Sequence, residues 1–183
     1  MKQQSTTVRR LLITALGVGI IAGVSFERWQ TQSDPTGPFP FNPSQPYTLV
    51  LGRGNGVDGF NTVAIYPDGR VVINQKATQT SWERATVRLS PEEVRLVAES
   101  VVRNQLPSLK AEYHRDDVFD GKQWEMIIRQ SGRVKETYFN NNFPAAIVNF
   151  SRELDTIIQN ASRNKLDWLP SSRIHAPLWT IFD

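Results

Sequence analysis

Two short β-branched runs, Asn61–Tyr66 and Arg70–Asn74, flank Pro67-Asp68-Gly69. Proline presets the φ angle of a turn and glycine accepts positive φ, so this stretch predicts a hairpin. Tyr47–Leu51 reads as a strand before it and Ala85–Leu89 as a further strand after it. Glycines at 52, 54, 56 and 59 predict a flexible loop joining the first two strands. Ser90-Pro91-Glu92-Glu93 then opens a helix: Ser90 caps the free amides, Pro91 sits where no N–H is needed, and Glu93 closes a capping box. Val94, Val97, Ala98 and Val101 line one face until Leu106-Pro107 ends it.

The layout recurs. Trp124, Met126 and Ile128 alternate with Glu125 and Arg129, the period of a half-buried strand. Ser131-Gly132 turns the chain into Val134–Phe139. Pro144 opens a second helix, with Ile147, Phe150, Leu154, Ile157 and Ala161 at three- and four-residue spacing. Two hairpin–helix units predict an α+β domain over residues 47–166. It is an antiparallel sheet with both helices packed on one face, which buries every apolar stripe together.

Upstream the pattern changes. Leu11–Phe26 is uncharged over sixteen residues, with Lys2, Arg9 and Arg10 before it and no acidic residue until Glu27. Positive flanking charge stays cytoplasmic, so residues 1–29 predict a cytoplasmic stub and a membrane segment that sends the rest of the chain outside. Two fates are open. As a helix the run covers roughly 24 Å, short of a hydrocarbon core, and Gly23-Val24-Ser25 supplies small residues for signal cleavage. That route gives a secreted or periplasmic protein. Arg28 and Trp29 instead suit the interface end of a retained helix, and we favour an uncleaved, single-pass anchor in the cell membrane. Ala15, Gly19 and Gly23 form a stripe on which two such helices would approach closely, predicting a weak homodimer contact.

Residues 30–46 carry five of the eleven prolines and predict a stiff linker. The net charge of +3 does not indicate nucleic acid. Three of the 21 Lys and Arg precede residue 27 and none of the 18 Asp and Glu do, leaving 18 of each beyond. The basic excess is a membrane-topology signal. Cysteine is absent, which excludes disulfides, thiolate catalysis and Cys-ligated zinc, and fits bacterial export better than eukaryotic secretion.

Candidate chemistry is sparse. The glycine loop runs into a strand, not a helix, so it is no phosphate cradle. Arg53, Asn55 and Asp58 on it are candidate partner contacts, with Arg53 on a mobile loop. In the acidic loop 112–121, His114, Asp116 and Asp120 are the candidate catalytic set of an exported hydrolase, but no nucleophile accompanies them. Counted from Asp116, the loop fails the EF-hand pattern at Val118 and Ile127. No metal or other cofactor is predicted. The tail 167–183 is apolar and predicts a segment docked back over the domain, with Trp168 against the second helix; the alternative is a docking peptide with Trp179 and Phe182 as anchors. The preferred function is a non-enzymatic binding or protein-interaction module held outside the membrane, with a protein partner there.

Overall fold

The computed structural model describes residues 38–55, 58–115, 117–118, 121–163 and 165–171. The apolar run 11–26 with Ala15, Gly19 and Gly23 lies outside the described residues. So do Asp116, Asp120, Trp179 and Phe182. Among the described residues no helix is long and apolar enough to cross a membrane.

The fold is α+β, with two helices and an eight-stranded sheet. Strands β1 (Thr48–Asn55), β2 (Gly59–Ile65), β3 (Arg70–Lys76) and β4 (Trp82–Arg88) form a meander. It leads into helix α1 (Pro91–Arg103) and a single 3₁₀ turn, Leu106–Ser108. After β5 (Glu112–His114) come the hairpin β6 (Lys122–Gln130) and β7 (Arg133–Asn140), helix α2 (Ala145–Ala161) and β8 (Leu169–Ser171). Across the sheet the order is β5-β7-β6-β1-β2-β3-β4-β8. The two hairpin-bearing halves join where β1 pairs with β6, from Thr48↔Arg129 to Asn55↔Lys122.

The local chemistry sets the elements as expected. Gly69 takes φ +82° in the Pro67–Gly69 turn. Ser131 and Gly132 both have positive φ, the geometry of a two-residue hairpin turn that follows the twist of the strands. At the start of α1, Ser90 Oγ accepts from the Glu93 amide at 3.2 Å, and the Ser90 amide donates to Glu93 Oε2 at 2.7 Å.

Three features depart from expectation. The sheet is mixed, because β5 runs parallel to β7, pairing Glu112 with Tyr138 and His114 with Asn140. A three-residue edge strand reached through a helix and a 3₁₀ turn has no tight turn to force it antiparallel. The glycine stretch is largely strand: Gly52 and Gly54 belong to β1 and Gly59 opens β2. At Gly54 a Cβ would sit 2.0 Å from the Gly59 carbonyl oxygen, so glycine there serves close backbone approach. The core also reaches upstream of Tyr47. Phe39 is buried with the main core, its amide donating to the Pro107 carbonyl at 3.2 Å, and Phe41 packs beside it.

Both helices bury their apolar stripes in one cluster with Leu49, Leu51, Val63, Ile65, Met126 and Ile128. Side chains of the opposite parity, Val50, Ala64, Val72 and Ile127, form a second cluster on the other face of the sheet. In the tail, Leu166 packs on the main core, Trp168 is half-buried and Leu169 is exposed.

Candidate functional site

The sheet end formed by the β1–β2 and β3–β4 hairpins gathers the first group of sequence candidates. Arg53 lies on the helix-facing side of β1, in register with Asn61 and Trp124. Its guanidinium donates to both carboxylate oxygens of Asp155 on α2, at 2.6 and 2.9 Å, and to Ser151 Oγ at 2.9 Å. Arg53 is therefore an anchor between strand and helix and not a residue of a mobile loop. The correction follows from β1 running on to Asn55, which fixes the direction of each side chain along it.

Asn55 and Asp58 are brought together as the hairpin closes. Asn55 Oδ1 accepts from the Asp58 amide at 2.6 Å, and Asn55 Nδ2 donates to Asp58 Oδ2 at 2.9 Å. Lys76, the last residue of β3, donates Nζ to Asp58 Oδ1 at 2.6 Å, and its amide donates to Asn61 Oδ1 at 2.8 Å. The hydrogen bond from Lys76, then that from Asn55, holds the Asp58 carboxyl below the usual carboxylate range. Together with Arg53 and Gln79, these groups line an open cavity of about 490 Å³. It offers one ammonium, a carboxylate and side-chain amides, a set suited to hydrogen bonding a polar ligand. Each charged group is already balanced by a neighbour.

The second group does not assemble in the same way. His114 lies on the outermost strand, β5, with Glu112 against its Nε2, and meets the ring of Tyr138 edge-on at 5.9 Å. Its side chain is 40% accessible, an open sheet edge and not a cleft. Arg115 is paired with Asp117 at 2.7 Å. Among the described residues, no group of three or more His, Asp or Glu side chains is placed to hold a metal ion.

One perturbed carboxyl leaves no mark in the sequence. Glu125 on β6 is pushed up to about 7, first by burial and then by the charge of and hydrogen bond with Glu136. It lies on the sheet face away from the helices, between Gly52 and Tyr138 in register. Burial, with the Glu125 and Glu112 charges, also raises Tyr138. The strand period marks Glu125 only as the residue opposite the Trp124/Met126/Ile128 stripe. What it lacks is the cross-strand neighbour, a second glutamate on β7.

No family model matches the chain, and none of the curated proteins compared with it is similar.

Proposed function

We propose that this chain is a membrane-anchored extracytoplasmic interaction module, held by residues 11–26 and binding a protein partner through the polar hairpin end. The observation that carries the binding surface is the cavity whose lining includes Asn55, Asp58, Asn61, Lys76 and Gln79, at the end of the sheet where the β1–β2 and β3–β4 turns lie. Its groups donate and accept hydrogen bonds but include no nucleophile beside a general base. The anchor rests on the charge pattern before Leu11 and the apolar run after it. A second copy is a proposed weak partner through Ala15, Gly19 and Gly23.

The test is the double variant Asp58→Ala/Lys76→Ala. An exposed ion pair contributes about 0–1 kcal/mol, so the fold is expected to survive its loss. Co-purification of the native partner from solubilised membranes should then fall at least about tenfold, the loss of roughly 1.4 kcal/mol of binding. Unchanged co-purification would contradict the assignment of this surface.

An exported hydrolase using loop 112–121 is the second reading. The observation favouring it is the Glu125 carboxyl, poised near neutrality on the same sheet face as His114. Under that reading, an activity found against ester, amide or glycoside substrates would vanish in Glu125→Gln and His114→Ala alike.

A further inference from the structure

The sheet face away from the helices carries an apolar row, Ile127-Val50-Ala64-Val72, in direct register across β6, β1, β2 and β3. These four side chains are 2%, 0%, 0% and 8% exposed. Among the described residues, the other members of their cluster are Val134 and Tyr66, also on strands or at a strand end. Among the described residues, no helix or loop side chain joins the cluster. Neighbours within a sheet flank a side chain on two sides and leave its tip open, since a covering layer sits about 10 Å above the sheet. Full burial at Val50 and Ala64 thus calls for such a layer.

The sequence carries the same demand independently. A sheet with one face in water alternates apolar and polar residues, whereas a sheet covered on both faces has continuous apolar runs. The four central strands have continuous runs: Leu49-Val50-Leu51, Val63-Ala64-Ile65, Val71-Val72-Ile73 and Met126-Ile127-Ile128. In each, the middle residue points away from the helices.

We infer that the C-terminal segment of this chain, residues 172–183, covers this face, with Leu178–Phe182 seated over the Val50–Ile127 row. The residue just before this segment is on the sheet, because Ser171 pairs with Trp82 at the outer edge of β4. Trp82 points to the same face as Val72 and is 7% exposed. From β8 to β1 is four strand spacings, about 19 Å, and Leu178 to Phe182 lie roughly 23–36 Å along an extended chain from Ser171. Reach and span agree. The segment carries Ile174, Leu178, Trp179, Ile181 and Phe182, more apolar surface than a solvated end requires. Gly52, with no side chain on this face between Glu125 and Thr62, leaves a depression for one of the aromatic rings. The N-terminal segment is the poorer occupant, since its last part, at Phe39, enters among the helix-side core residues. The hairpin-end cavity is a different surface, so this inference stands apart from the binding proposal.

The test is made on the full chain in detergent, with Phe182 replaced by benzoylphenylalanine, a larger aromatic photo-crosslinker, and the product mapped by mass spectrometry. An intramolecular crosslink to residues 48–55 or 122–130 is expected. Crosslinks to α1 or α2, to residues 1–37, to detergent or lipid, or to another chain would overturn the inference. As a second measurement, Leu178→Asp should lower Tm by about 5 °C or more and increase binding of an apolar dye severalfold. A Tm within about 1 °C of the parent would overturn it equally.

Discussion

Arg53 on β1 and Asp155 on α2 form a two-pronged ion pair, 2.6 and 2.9 Å, that pins the second helix across the sheet. Their side chains are 28% and 40% accessible, so water weakens the attraction without abolishing it. Arg53→Ala is expected to destabilise the domain by about 1 kcal/mol in urea unfolding, with a coupling to Asp155→Ala of about 0.5–1 kcal/mol. Arg53→Lys should recover little of it, because an ammonium cannot match both carboxylate oxygens. Zero coupling in the double-mutant cycle would show that the pair does not hold the helix.

Two glycines of like backbone separate conformational strain from steric clash. Gly69 has φ +82° and a Cβ there would stand 2.6 Å from the Leu89 carbonyl oxygen. Gly132 has φ +76° with nothing within 4 Å. Gly132→Ala should cost about 1 kcal/mol, the left-handed penalty alone. Gly69→Ala should cost more, about 2–3 kcal/mol, since backbone has to move as well. Equal costs by thermal unfolding would show that the Gly69 turn yields freely.

Glu125 makes stability fall with rising pH. Its folded value stands near 7 against an ordinary 4.5, so the folded state holds a proton that the unfolded chain has released across that window. The resulting penalty is absent below the ordinary value, grows through the window and is complete above it. Allowing for partial exposure, Glu125→Gln should stabilise the domain by about 1–2 kcal/mol at about pH 8 and by almost nothing at about pH 4. A gain that is the same at both pH values would locate the cost in packing and not in charge.

Helix α1 was legible because its start is written in four consecutive residues. Ser90→Ala should remove about 1 kcal/mol through the lost cap, measured by urea unfolding. Two hairpin turns were equally local, one fixed by Pro67 and Gly69 and the other by Ser131 and Gly132. What escaped the sequence was non-local. β5 and β8 are three residues long, too short to show a period, and each is defined by its partner, β7 or β4. The glycines of β1 looked like a loop because pairing to β2 and β6 needs backbone and no side chain. Arg53 looked free because Asp155 is 102 residues away. Glu125 looked like an ordinary outward acid until Glu136 came beside it.

The hairpin-end surface is tested most directly by position-specific photo-crosslinking in native membranes. A photo-reactive residue at Gln79, which lines the cavity, is compared with one at Val102, which is exposed on α1. One discrete protein adduct is expected from Gln79, absent from Val102 and lost when Asp58→Ala/Lys76→Ala is added. Adducts of equal yield from both positions, or an adduct from Val102 alone, would contradict it.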